Sequence, residues 1–112
     1  VRIWDLEANR LCRTHLLAEH RELHGLWSIL VHDKRGYRNH PETRRWEGRL
    51  AALYLRHEEE VREMSRRGWS HRSPLDERLA AGTSETQPEM VNSRAEQVAN
   101  LRAKGCDCRL GD

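Results

Sequence analysis

The sequence predicts an all-α fold, a compact three-helix single domain with irregular connections. Three observations carry that reading. Leu16, Leu23, Trp27 and Leu30 recur at spacings of seven, four and three, which places them on one helical face. Trp46, Leu50, Leu53, His57, Val61 and Met64 keep a similar rhythm further along. Ser93, with Glu96 three residues later, forms a capping box ahead of a short third segment.

Taken in order, residues 1 to 6 hold Ile3, Trp4 and Leu6, apolar enough to pin the start of the chain against the domain. The first helix is expected to begin near Glu7 to Leu11 and to continue to about Val31. Gly25 inside it weakens it by about 1 kcal/mol relative to alanine. Asp33 to Pro41 reads as a basic loop in which glycine and proline stop both helices. Its Lys34, Arg35 and Arg38 are candidate contacts to a DNA backbone, and a solvated connection between helices is the other reading. A second helix is expected from near Pro41 to Thr43 as far as Arg67, with Gly68 ending it. Glu58 with Arg62 and Glu63 with Arg67 are acid-before-base pairs four apart, the mark of a solvent face. His57 reads as a satisfied histidine at the core edge. Residues 80 to 91 look like a surface linker. A third helix is expected from about Arg94 to Lys104, with Val98 and Leu101 facing inward and Gly105 as its stop. This divides the chain into a helical core over 1–75 and, over 76–112, a linker plus a short C-terminal helix packed on that core.

A chain of 112 residues forms one domain with a single modest core. Charged residues make up 34% and the aliphatic runs are short, so neither a transmembrane segment nor a signal peptide is expected, and the protein reads as soluble, intracellular and cytoplasmic. Cys12, Cys106 and Cys108 are an odd number, and two of them stand too close for an easy bridge, which argues against a disulfide framework. As a metal motif, Cys106 and Cys108 lack a second pair nearby in sequence. The net charge of +2 hides an asymmetry. Residues 1–72 carry 15 Arg and Lys against 11 Asp and Glu, whereas residues 73–112 carry 5 against 7. Only Lys34 and Lys104 among the 20 basic residues are lysine, and arginine is the planar donor that pairs with phosphate in two places at once. This balance permits a local phosphate-binding face without requiring one.

The densest chemistry lies in His15 to Leu23. Glu22 falls at the edge of the apolar stripe, where a partly desolvated carboxylate is suited to proton transfer. An ordinary rim glutamate is the plain alternative. His20 and His24 stand four apart on one helix face, a spacing that can hold a metal, and His15 with Glu19 repeats it. The zinc-protease pattern needs glutamate directly after the first histidine, where this chain has Arg21. A metal-binding helical protein using His20 and His24, and a non-catalytic helical interaction module, therefore stand as alternatives to an enzyme.

The opening Val1-Arg2-Ile3-Trp4-Asp5-Leu6, followed by His15-Leu16-Leu17-Ala18-Glu19-His20-Arg21-Glu22-Leu23, resembles the phage and bacterial pyrimidine-dimer DNA glycosylases of the endonuclease V family. Those enzymes begin with a small residue followed by Arg-Ile and carry a closely similar helix at the same distance from the amino terminus. A second block runs through Gly48, Leu53, Tyr54-Leu55-Arg56 and Arg66-Arg67-Gly68-Trp69, and the resemblance covers about residues 1 to 75. It implies a DNA-repair glycosylase with abasic-site lyase activity, working through an imine on the N-terminal α-amine. Val1 matches the nucleophile, Glu22 the catalytic acid, Arg2 and Arg21 arginines that contact the substrate, and His15 a pocket histidine. Whether a preceding methionine is removed or an alternative start codon sets methionine at the first place, the amine is expected at position 1. Phage members carry an arginine one turn beyond the glutamate, where this chain has Gly25, so that contact is either missing or supplied by His24. Their aromatic, basic tail has no counterpart in residues 76–112, so the lesion could be a pyrimidine dimer, another lesion or an abasic site. The implied partner is double-stranded damaged DNA, met by a monomer away from any membrane, with no cofactor and no metal.

Overall fold

The computed structural model describes residues 2–35, 39–71 and 73–110. Val1 and Arg38, both expected to meet the substrate, lie outside the described residues. Among the described residues there are four helices and no strand: α1 (Arg13–His32), α2 (Pro41–Arg44), α3 (Leu50–Arg66) and α4 (Arg94–Ala103). Short 3-10 turns cover Ala8–Arg10 and Glu77–Ala80. The all-α expectation holds, with three helices of more than one turn. No helix among the described residues is long and apolar enough to cross a membrane.

Two boundaries differ from the sequence reading. The first helix begins at Arg13, because extended backbone at Leu11 and Cys12 separates it from the preceding 3-10 turn. The expected second helix is two. Gly48 takes a left-handed φ of 72°, which breaks the path between α2 and α3 and leaves Trp46 buried in the turn. The early N–H groups of α3 then need acceptors from elsewhere. Thr83 Oγ1 accepts from Ala51 N–H at 2.7 Å and the Ser84 carbonyl from Ala52 N–H at 2.9 Å, so the stretch read as a linker caps α3. The third helix and its Ser93/Glu96 capping box are as expected.

The apolar core has two parts. Ile3, Leu23, Leu26, Trp27, Trp46, Ala52, Leu53 and Ala80 make one; Trp4, Leu6, Ala8, Leu11, Leu16, Met64 and Leu101 make the other. Residues 3 to 6 divide between them, Ile3 in the first and Trp4 and Leu6 in the second. Part of the seam between α1 and α3 is polar. Arg56 donates to both oxygens of Glu19, at 2.8 and 3.2 Å, and Glu60 receives His20 Nδ1 at 2.8 Å.

The N-terminal segment makes no ladder with another strand. Its amides are taken one after another by side chains: Ile3 N–H by Glu42 Oε1 (3.2 Å), Trp4 N–H by Glu19 Oε1 (2.7 Å), Asp5 N–H by Gln97 Oε1 (2.7 Å) and Ala8 N–H by Glu59 Oε2 (2.8 Å). Arg45, itself buried, closes the arrangement by donating to the carbonyls of Ile3 and Glu89 and to the carboxylates of Glu42 and Asp5. Each of the four helices therefore helps to set where the first residues lie.

Glu63, read as part of a solvent face, is buried beneath Arg66 and Arg67, whose Nε atoms reach it at 2.9 and 2.6 Å. Arg67 also donates to the Leu11 carbonyl and so ties the end of α3 to the start of the chain. The hydrogen bond from Arg66, outweighing burial and joined by that from Arg67, holds the Glu63 carboxyl below its usual 4.5. A lowered folded-state pKa contributes stability that is present above about 4.5 and is lost as pH falls through the folded value. Urea titrations of the parent and Glu63→Gln should differ most above pH 5 and converge on acidification. A gap that widens towards low pH would contradict the assignment.

Candidate active site

An open cleft of about 510 Å³ lies between the N-terminal segment, α1 and α4. Helical spacing puts His15, Ala18, Glu19 and Glu22 along one face of α1, and Asn100, Ala103 and Lys104 along the facing side of α4. Ala18 and Ala103 are small, which leaves the space open. Arg2 and Trp4 form the third wall. The Arg2 guanidinium stands 4.6 Å above the Trp4 ring and donates to Asn92 Oδ1 at 2.7 Å, which fixes its direction. Glu19 lies at the floor, with a fully buried side chain that accepts from Trp4 N–H and Arg56. Glu22 is half-buried and has no hydrogen-bond or ion-pair partner among the described residues. Among the described residues the cleft thus holds one uncommitted carboxylate together with two cations, Arg2 and Lys104, an arrangement suited to a phosphate-bearing ligand on which a proton must move.

The sequence-derived candidates divide. Arg2, His15 and Glu22 meet in this cleft. Arg21 is exposed on α1, outside the lining. Lys34 and Arg35 are exposed after α1, with Lys34 Nζ donating to Ser28 Oγ at 2.7 Å. His24 stands apart from the cleft, with its Nε2 within 3.2 Å of those of His20 and His57. Burial and the neighbouring imidazoles of His20, His57 and His71 hold His24 down to about 4. Ring centroids of His20 and His71 are 4.8 Å apart, and His57 is completely buried beside them. His15 turns its Nδ1 away towards sulfur, 3.2 Å from Cys12 Sγ and 3.4 Å from Cys108 Sγ.

Residues that the sequence reading did not single out also shape the region. Lys104 and Asn100 complete the cleft from α4, and Glu19 connects it to the backbone of Trp4. Beyond Cys12 a second cleft of about 350 Å³ is bordered by Arg10, Arg13, Arg66, Arg67 and Arg109. Its cationic wall is drawn from the start of the chain, the end of α3 and the C-terminal tail, three stretches that only the fold brings together.

Fold and cleft together define a helical protein with a carboxylate beside its N-terminal segment and an arginine-rich surface. The chain belongs to the pyrimidine dimer DNA glycosylase family, whose sequence model matches residues 1–77. No curated protein and no solved structure matches it. The matched portion contains the cleft residues of the N-terminal segment and α1, whereas Asn100, Ala103 and Lys104 lie beyond it.

Proposed function

We propose that the chain removes a damaged pyrimidine from duplex DNA with the α-amine of residue 1, and then cuts the strand at the resulting abasic site. The observation that carries this reading is the placement of Glu22, half-buried and without a partner among the described residues, in one cleft with Arg2, the neighbour of residue 1. The mechanism requires a mature chain whose α-amine lies at position 1. A neutral amine attacks C1′ and the base leaves with the bond electrons, protonated as it departs. The C1′–O4′ bond then opens, O4′ taking up a proton as the nitrogen gives one up, and the resulting imine acidifies the C2′ proton, whose removal expels the 3′ phosphate. Glu22 moves protons in these steps, and the route itself uses no cofactor.

An α-amine suits this chemistry better than lysine. With a reference pKa of about 7.7 to 8.0 it is roughly one-tenth neutral slightly above pH 7, whereas lysine at about 10.4 is neutral below one part in a thousand. Arg2 favours the neutral amine further and offers a donor to a flanking phosphate. Duplex stacking shields C1′, so a nucleotide must leave the stack before attack. Arg21, Lys34, Arg35 and Arg38, together with the arginine-lined second cleft, supply cations for backbone contacts made by a single copy of the chain.

Borohydride trapping tests the reading on two duplexes, one with a pyrimidine dimer and one with an abasic site. Borohydride reduces a transient imine to a permanent bond. Mass spectrometry is expected to find the adduct on residue 1 with both duplexes. An adduct on the abasic duplex alone would keep the lyase and exclude the dimer; an adduct on a lysine would exclude the terminal amine.

A further inference from the structure

Two clusters of metal-ligating side chains lie outside the chemistry just described. In the first, Cys12, His15, Cys106 and Cys108 bring three sulfurs and one ring nitrogen within 4.8 Å of one another. In the second, His20, His24, His57 and His71 do the same with four ring nitrogens. We propose that each is a closed, four-ligand zinc site, a Cys₃His centre fastening the C-terminal tail to the start of α1 and a His₄ centre fastening α1, α3 and the residues after α3.

For the first site, tetrahedral zinc with Zn–S near 2.3 Å and Zn–N near 2.0 Å sets ligand atoms roughly 3.5 to 3.8 Å apart. His15 Nδ1 stands 3.2 and 3.4 Å from the sulfurs of Cys12 and Cys108. All three cysteines are free and half-buried, so no disulfide competes for them. Cys108 Sγ accepts the Cys12 backbone N–H at 3.1 Å, a bond that suits a thiolate. Cys12 is the N-cap of α1, where the helix dipole favours negative charge, and Arg13 follows it. Three thiolates on a dication leave one net negative charge, which this surrounding matches.

The second site stands on a separate argument. The Nε2 atoms of His20 and His71 are 2.9 Å apart, those of His20 and His24 3.2 Å, and those of His24 and His57 3.2 Å. Four Zn–N bonds of about 2.0 to 2.1 Å would set them near 3.3 Å. Glu60 holds His20 Nδ1 at 2.8 Å, so the proton sits on that side and the Nε2 lone pair faces its neighbours. This carboxylate–histidine arrangement is the one that orients imidazoles on zinc. One bound cation satisfies all four converging lone pairs, whereas four neutral rings cannot all donate to one another.

Neither site leaves a ligand position open, so the role of both is structural. His15 and Lys104 of the cleft are a ligand and a near neighbour of a ligand, so the first centre holds α4 against α1 and sets the width between them. The test is metal content of the full chain exposed to zinc(II) and desalted, with cobalt(II) in parallel. Two ions per chain are expected, with sulfur-to-cobalt charge transfer in the spectrum. Cys108→Ser should keep one ion and lose the charge transfer; His71→Ala should keep one ion and retain it. Should a variant fail to fold, thiol alkylation of the parent still decides the first site, because its three cysteines should react only after chelation. Retention of no ion overturns both sites. A single ion without charge transfer overturns the first, and a single ion with it overturns the second.

Discussion

Glu22→Gln is expected to lower glycosylase turnover about 10²- to 10⁴-fold while leaving affinity for damaged DNA nearly unchanged, because the amide keeps the shape of the carboxyl but cannot carry a proton. The cleft makes the substitution clean. Glu22 supports no other described side chain, so its loss as an acid leaves no partner stranded. Glu19→Gln should behave differently: it breaks the pair with Arg56 and disturbs the acceptor of Trp4 N–H, so stability falls along with activity. Single-turnover cleavage, equilibrium binding and urea denaturation of both variants separate the roles. Loss of binding with retained cutting in Glu22→Gln would remove it from the mechanism.

Arg45→Met is expected to cost about 3 to 5 kcal/mol, the range for removing one partner of a buried pair. Arg45 donates to Glu42 Oε1 through Nε and one terminal nitrogen, at 3.0 and 2.8 Å, to Asp5 Oδ1 at 2.9 Å and to the Ile3 carbonyl at 2.9 Å. The same Glu42 oxygen accepts the Trp46 indole N–H and the Ile3 amide, so the loss strands a charge that several groups share. Arg78→Met, at an exposed pair with Asp76, should stay within about 0.5 kcal/mol of the parent. Urea midpoints at pH 7 compare the two. A cost below 1 kcal/mol for Arg45→Met would mean that Glu42 does not depend on it.

Periodicity located the apolar faces well. Leu16, Leu23 and Trp27 of α1, Leu53 and Met64 of α3 and Leu101 of α4 are all buried where the spacing placed them. The break at Gly48 was not legible, because a glycine within a helical pattern is tolerated as often as it interrupts, and only the chain path requires its left-handed φ. Buried carboxylates were the larger omission. Glu19, Glu42, Glu60 and Glu63 look like surface residues until their partners are known: Arg56 and His20 come to Glu19 and Glu60 from the facing helix, whereas Arg45, Arg66 and Arg67 stand three or four residues from Glu42 and Glu63. Within the cleft, Arg2, His15 and Glu22 followed from a motif of adjacent residues, whereas Lys104 and Asn100 arrive from a helix beyond the family match. The two ligand clusters were half legible. Cys-x-x-His at 12–15, Cys-x-Cys at 106–108 and His-x-x-x-His at 20–24 are visible as fragments, but their joining depends on tertiary structure.

The side-chain grip on the first residues has a consequence for the order of folding. The bonds from Trp4 to Glu19, Ile3 to Glu42, Ala8 to Glu59 and Asp5 to Gln97 close over separations of 15, 39, 51 and 92 residues. Loop-closure entropy makes the widest of these about 1.6 kcal/mol costlier than the narrowest for a flexible chain. Contacts of that span are completed after the local helices have formed. The bond from Asp5 to Gln97 is therefore made only once α4 has docked, and until then the cleft lacks the wall that α4 supplies opposite Arg2 and Trp4.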